Sequence, residues 1–446
     1  MVKKLFKSSS EESSAASPKV YQRSEHGISR AQVSDNALKV LYRLKKSGYQ
    51  AYLVGGCVRD LLLGREPKDF DVVTNARPEQ IKEVFRNCRL IGRRFRLAHI
   101  HFGREIIEVA TFRGASTEEN DVQRVLENGR LLRDNLYGTI DEDVWRRDFS
   151  VNALYYNIEN FSLVDYVGGM EDHKNSTLRL IGDPEARYRE DPVRMLRAVR
   201  FATKLGFTIH PDCEAPIKRL AELLPAIPPA RLYDETLKLF LSGHAIQTFE
   251  QLRHYQLFGM LFPDTEKSLT VQHDGFPLTF LAKALENTDK RLQEGKPVTP
   301  YFLFAALLWE PVRVAAEAKV AEGATDVAAI QEAAQEVIVR QVKRIAFPRR
   351  IGMPMREVWI LQSRFNKRSG IRPFRLLANP RFRAAYDFLV LRAETGEADP
   401  SLAEWWTRFQ EVEEVEQKRM TRGLVRKPRT RRRKKRAAGQ ADSSSS

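Results

Sequence analysis

Asp69-Phe70-Asp71, running on into Val72 and Val73, is the group of residues in this sequence best suited to chemistry. Read as a strand, the segment projects positions 69 and 71 from one face and turns Phe70 toward the core. Two carboxylates on one face repel unless something cationic lies between them. Two Mg²⁺ ions, or Mn²⁺ in their place, are the usual answer where the chemistry is at phosphate: one activates an attacking hydroxyl, the other steadies the leaving oxygens. With 58 acidic residues in the chain a D-x-D arises by chance, so the pair draws its weight from what precedes it. Tyr52 to Val54 reads as a strand, Gly55-Gly56 as a tight turn, and Cys57 to Leu63 as a short helix closed by Gly64. Paired glycines let an anion approach backbone N–H groups, and the positive end of the helix adds attraction, which makes a cradle for a triphosphate. A third acid, Glu108, shares a strand face with Ile106. It either completes a metal shell or is a solvated strand carboxylate, with Glu105 a weaker competitor on the opposite face.

The elements that must position these groups fall into two kinds. A capped helical pattern runs from Ser34 through Leu38, Leu41 and Leu44 to Gly48, and the strand Ala51 to Val54 follows. Short β-like runs then cover 70–73, 98–102, 106–112, 154–158 and 163–167, with a helix at 78–85 between them. Beyond Asp183 helical periodicity takes over, over 192–205, 216–224, 231–241, 315–346 and 402–419. The 446 residues, 42% hydrophobic and 30% charged, are enough for two to four domains with real cores.

No stretch approaches the roughly 18 apolar residues of a membrane-spanning helix, and Met1 to Lys7 leads into serines instead of an apolar signal region. Cys57, Cys88 and Cys213 are odd in number and form no C-x-x-C pair, which fits a reducing compartment. A soluble, cytoplasmic protein is expected. The net charge is +16, and Lys418 to Arg436 alone holds twelve Lys or Arg and no acid, so the excess that calls for a polyanionic partner is mostly a property of the tail.

Gly55-Gly56-x-x-Arg59-Asp60, Asp69-x-Asp71, Arg146-Arg147-Asp148-Phe149-x-x-Asn152-Ala153 and Glu190-Asp191-Pro192-x-Arg194-x-Leu196-Arg197-Ala198-x-Arg200-Phe201 occur in that order. Across about residues 50 to 245 the chain resembles the class II nucleotidyltransferase superfamily, which includes bacterial poly(A) polymerases and CCA-adding tRNA nucleotidyltransferases. The resemblance implies that Asp69 and Asp71 hold the catalytic metals and that Arg59 and the Gly55-Gly56 backbone meet the triphosphate. Asp148, with Arg147 and Asn152 near it, would sit at the nucleotide ribose or act as a third catalytic acid; a helix N-cap is its plainer reading. Asp191 and Arg194 would read the Watson–Crick edge of the incoming base, and three residues apart they also suit an intrahelical ion pair. Arg197 and Arg200, further round the helix, suit phosphate contact or plain exposure. Arg231-x-x-x-Glu235-x-x-Lys238 resembles a further helical motif of the same group.

Leu90 to Ile100, with Arg93, Arg94 and Arg96 after Gly92, is similar to the stretch that separates the bacterial poly(A) enzymes from their CCA-adding relatives. The tail, with Arg431, Arg432, Arg433, Lys434, Lys435 and Arg436, suits an enzyme that binds RNA backbone without sequence preference. Phe374-Arg375, Phe382-Arg383 and Trp405-Trp406-x-Arg408-Phe409 suit base stacking, with core packing the first reading. The expected fold is an α+β, polymerase-β-like nucleotidyltransferase head with a small mixed sheet, followed by all-α neck, body and leg. The expected bounds are a disordered 1–25, head 26–170, neck 171–245, body 246–345, RNA-binding leg 346–422 and a disordered basic tail 423–446. The expected reaction is template-independent addition of AMP from ATP to RNA 3′ ends, with RNA-decay or RNA-chaperone proteins as further partners. CCA addition to tRNA and an inactive RNA-binding protein of the same fold are the competing readings.

Overall fold

Alternation of buried and exposed residues along short strands, and three-to-four spacing of apolar residues along helices, recur through the computed structural model. It describes residues 17–92, 96–114, 125–127, 130–133, 136–269 and 279–422. The strands are β1 (Lys19–Tyr21), β2 (Ala51–Val54), β3 (Asp71–Thr74), β4 (Cys88–Ile91), β5 (Leu97–Phe102), β6 (Glu105–Thr111), β7 (Val125–Glu127), β8 (Arg130–Arg133), β9 (Leu154–Tyr156), β10 (Leu163–Asp165), β11 (Thr177–Leu178) and β12 (Thr208–Ile209). Eight of them form one sheet in the order β1-β10-β9-β2-β3-β6-β5-β4. Its β3–β6 pair is parallel and its other pairs are antiparallel, so the sheet is mixed.

Among the head helices, α1 (Asp35–Lys46) starts at Ser34, whose hydroxyl accepts the Ala37 N–H, an N-cap of the usual kind. Its stripe of Ala37, Leu38, Val40, Leu41 and Leu44 packs in one core with Leu53, Val72, Ile107 and Val109 of the sheet, the stripe an amphipathic helix presents. The helices α2 (Gly56–Leu62), α3 (Pro78–Val84), α4 (Ile140–Arg146) and α5 (Gly169–Lys174) are short. After them come α6 (Pro184–Glu190), α7 (Val193–Leu205), α8 (Pro211–Leu220), α9 (Pro229–Phe240), α10 (Ala245–His254), α11 (Leu257–Leu261) and α12 (Pro263–Leu269). The described chain divides into two compact units at the Pro263–Asp264 bond. The second unit holds α13 (Thr279–Gln293), α14 (Pro300–Leu307), α15 (Trp309–Ala321), α16 (Asp326–Val342), α17 (Arg349–Gln362), α18 (Arg372–Leu377), α19 (Phe382–Glu394), α20 (Pro400–Glu411) and α21 (Glu414–Arg422). The fold is therefore an α+β head with a mixed sheet followed by a helical remainder.

Several expectations need correction. Disorder over 1–25 fails at its end, because Lys19–Tyr21 forms β1 against β10; Tyr21 is buried there and the free edge of β10 supplies the ladder. Residues 1–16 and the tail from 423 lie outside the described residues. The single helix over 315–346 is two, α15 and α16, separated at Gly323, where φ is +101°, and restarted by the Thr325 cap on Ala328. The run 402–419 likewise splits into α20 and α21, and 216–224 becomes the end of α8 followed by a 3₁₀ turn over Ala221–Ala226. Among the described residues no helix is long and apolar enough to cross a membrane. All three cysteines are free and buried, and burial pushes the Cys57 thiol up to about 12, which leaves it inert at neutral pH.

Candidate active site

Asp71 opens β3 and lies in register with Glu108 on the parallel strand β6, which sets the two carboxylates side by side on neighbouring strands. Burial, then the Glu108 charge and the Asp69 charge, push the Asp71 carboxyl up to about 6, against the opposing pull of Arg147. Asp71 therefore feels both of the other acids. Phe70 is buried between the exposed Asp69 and the partly buried Asp71. On the far side of β6, His99 of β5 stands opposite Glu108, with Nε2 3.0 Å from its carboxylate. Glu105 is committed elsewhere: it accepts hydrogen bonds from Ser34 Oγ (2.8 Å) and Asn36 Nδ2 (2.5 Å), tying β6 to the start of α1.

The glycine turn meets this cluster directly. Gly55 caps α2 with φ of +80°, and a Cβ there would lie 3.5 Å from Asp71 Oδ2 and 4.0 Å from Arg147 Nη1. Only glycine takes that backbone freely, and its lack of a side chain leaves open the space between an acid and a guanidinium. A Cβ at Gly56 would lie as close to Arg59 Nη2. Arg59 itself is 3% exposed. It gives Nε and Nη2 to Asp60 Oδ1 and Nη1 to Asn152 Oδ1 (2.7 Å), and its guanidinium lies over the Phe201 ring. Arg59 braces the turn from behind.

Arg147 is held as firmly. Its Nε and Nη2 donate to Asp143 Oδ2 (3.0 and 2.9 Å), and Nε also donates to the Tyr155 hydroxyl (2.9 Å). Asp143 is buried and further accepts from Tyr155 (2.8 Å) and from the Arg113 N–H (3.2 Å). Sequence reasoning passed over Asp143; its signal was the four-residue spacing to Arg147 across the end of α4.

Asp148 faces a different set of partners. Arg197 donates to its Oδ2 through Nε (2.8 Å) and Nη2, and Oδ1 accepts the Phe149 N–H (2.8 Å) and Asn152 Nδ2 (3.4 Å). Burial acts to raise this carboxyl, but Arg197 and these hydrogen bonds outweigh it and hold Asp148 below the ordinary carboxylate range. The 3₁₀ turn over Ser150–Asn152 is entered from Phe149, so Asp148 is not its N-cap.

The side chains of Asp191 and Arg194 do not pair with one another. Asp191 and Arg194 share the turn that opens α7, where the Arg194 N–H donates to the Asp191 carbonyl (3.0 Å), but their side chains go to different partners. Arg194 Nη1 donates to Glu190 and to the Arg187 carbonyl (both 2.7 Å). Asp191 instead accepts both Nη1 (2.9 Å) and Nη2 (2.6 Å) of Arg231. Arg231 comes from α9, whose Glu235 also lies 4.0 Å from Arg200 and binds Lys238 (2.8 Å). The Arg231-Glu235-Lys238 pattern is thus brought against the 190–201 motif. Arg93, Arg94 and Arg431 to Arg436 lie outside the described residues; Arg96 pairs with Glu79.

A turn of paired glycines, carboxylates on adjacent strands and a half-buried guanidinium near them are the equipment of a nucleotidyltransferase, and solved structures carry the same fold. A tRNA-processing enzyme in an apo form matches with a TM-score of 0.59 at 22% identity, over 87% of this chain and 99% of that one. Family models match in chain order: the poly(A) polymerase head domain over 51–179, the probable RNA and SrmB-binding site of polymerase A over 206–269, and the arginine-rich C-terminus of polymerase A over 322–438. Poly(A) polymerase I of Salmonella typhi is 50% identical over 424 residues, 94% of this chain and 91% of the relative. A CCA-adding enzyme of Lactobacillus helveticus is 38% identical, over 50% of this chain and 53% of its own. The chain belongs to the poly(A) polymerase family and is a nucleotidyltransferase.

Proposed function

We propose that this enzyme extends RNA 3′ ends without a template, joining the terminal 3′-hydroxyl to the α-phosphate of ATP with release of pyrophosphate. The observation that carries the reading is the meeting of Asp71, Glu108 and Arg147 at the open space beside Gly55. The Gly55-Gly56 turn and Arg147 receive the triphosphate, with Arg59 and Asn152 fixing the turn. Asp148 and Arg197 form a pre-set pair at the ribose. Asp191 and Arg194, each oriented by another residue, present an acceptor and a guanidinium to the base. Because Asp148 has its oxygens already engaged and Asp71 feels Glu108, Glu108 is the better third acid. The division into head, neck, body, leg and tail is proposed with the bounds given above.

The residues present suit divalent ions. Burial, together with the Glu108 and Asp69 charges, raises the Asp71 carboxyl to about 6, a cost that bound cations would relieve. Mg²⁺ takes one or two carboxylates and completes its shell with substrate oxygens and water, a demand that Asp69 and Asp71 would meet. Asp69 and Asp71 would hold two such ions, which neutralise charge developing on the attacking and leaving oxygens. The protein's own part is orientation: Arg147 is fixed before substrate arrives, so little reorganisation remains for the reaction.

Incubation with unstructured RNA and each NTP separately tests this reading. Long A tracts made from ATP without tRNA are expected. Addition of C and then A confined to tRNA would establish the CCA-adding alternative, and RNA binding without incorporation of any nucleotide would establish the inactive one.

A further inference from the structure

Four cations of the C-terminal unit surround a hollow and, among the described residues, pair with no acid. Arg364 and Lys367 follow the end of α17, Arg372 and Arg375 belong to α18, and with Val327, Leu376 and Asn379 they line about 390 Å³. From Arg364 to Arg383 the chain carries seven Lys or Arg and no Asp or Glu. Arg381 and Arg383 are paired, with Glu357 and Asp387, and Arg368 lies over the Trp405 ring. The four at the hollow are exposed, and among the described residues none of them has a carboxylate within ion-pair distance.

Their backbone is fixed from beneath. Phe365 and Leu376 are buried, Phe374 and Leu377 pack beside them, and all four join a core around Trp406 and Phe409. Arg372 and Arg375, three apart on α18, therefore share the side opposite that core. A concave surface lined by one sign of charge focuses its field outward and favours an anion with several charges. Three of the four cations are guanidinium groups, whose planar fork matches phosphate oxygens. Among the described residues no aromatic side chain lines the hollow, which leaves bases nothing there to stack on.

We propose that this hollow binds consecutive phosphates of a single RNA strand, giving the C-terminal unit a sequence-independent RNA contact; this rests on RNA being the substrate extended. Four cations engaging up to four phosphates contribute about 0.7 each to the slope of log affinity against log salt for a single strand.

The test uses the full chain and the variant R364Q/K367Q/R372Q/R375Q, whose changes are all at exposed positions. R381Q/R383Q, which removes cations already paired, is the control for charge loss alone. Anisotropy with an oligo(A) of about 24 nucleotides, between about 50 and 200 mM salt, should show the slope falling by about 2 to 3 in the fourfold variant and by less than about 1 in the control. Thermal unfolding of both should match wild type. Addition of AMP to a primer of about six nucleotides should change by less than about twofold, since so short a strand has few phosphates to offer. An unchanged slope in the fourfold variant overturns the proposal. So does a variant that keeps the RNA slope but loses binding of a polyglutamate peptide, which would assign the hollow to an acidic polypeptide. If wild-type protein adds no AMP to either RNA, the polymerase reading fails, while the slope comparison still judges the hollow.

Discussion

In the N-terminal unit Arg59, Arg147, Arg194, Arg197 and Arg231 each donate to a carboxylate: Asp60, Asp143, Glu190, Asp148 and Asp191. In the C-terminal unit Arg364, Lys367, Arg372 and Arg375 have no such partner among the described residues. The first group is posed. A paired guanidinium has lost its rotamer freedom on folding and keeps one orientation toward a ligand. The second group acts through summed charge, remains solvated, and gains when counterions leave a bound strand. The same residue types thus serve geometry in one unit and affinity in the other. Substitutions should divide accordingly, with rate effects and little salt dependence at the head, and salt dependence with little effect on chemistry in the C-terminal unit.

The largest effect that would break this division is expected at Asp143, which touches Arg147 and no substrate group in the account above. Asp143→Asn retains the shape but weakens the clamp, and kcat/KM for ATP should fall about 100-fold, since small misplacements of a positioned group cost that much. The salt slope for RNA should stay at the wild-type value. Loss of affinity with unchanged rate would show that posing is not what the pair supplies.

How much of this was legible in the sequence depends on whether a partner was local. The glycine turn and the strands that carry Asp71 and Glu108 follow from short-range rules, and the parallel register of Asp71 with Glu108 joined those two carboxylates; Asp69, read as part of the same strand, precedes β3, which begins at Asp71. The pairing of Asp191 with Arg231 spans 40 residues, and no periodicity reports it. The three-residue spacing does put Asp191 and Arg194 on one turn, but spacing along the chain cannot report that Arg231 and Glu190 compete for their side chains. Aromatic and arginine neighbours such as Phe382-Arg383 and Trp406 to Phe409 are core residues beside surface ones: Trp406 and Phe409 are fully buried, so packing took precedence over stacking. Helix ends at Gly323 and Val412 were lost inside continuous apolar periodicity, where one glycine or one β-branched residue is a weak signal.

A mid-sized effect sharpens the other side of the comparison. Removing Gly423 to Ser446 takes out a dense run of cations and should weaken RNA binding about tenfold at low salt while flattening its salt dependence. Single-nucleotide addition should change less than binding does. A truncated protein with the wild-type slope would place the whole salt dependence in the folded units.

The smallest effect is a stability change at Asp71. Its carboxyl is raised to about 6 in the fold, against an ordinary value near 3.9 in the unfolded chain. The folded state therefore holds the proton more tightly, and metal-free protein loses stability as pH rises from about 4 to 6. Asp71→Asn should be more stable than wild type above pH of about 6, by about 1 to 3 kcal/mol, and equal to it below about 4. Calorimetry in the presence of a chelator checks this, and equal melting temperatures across the range would show that neither burial nor the neighbouring acids raise this carboxyl.

The location of the chemistry is tested most directly by measuring AMP incorporation and RNA retention on a filter in parallel for D69A/D71A. Incorporation should fall by at least about a thousandfold, the scale lost when charge stabilisation of phosphoryl transfer is removed, with retention of RNA nearly unchanged. Extension at the wild-type rate would contradict the account, because the carboxylate pair would then have no part in the reaction.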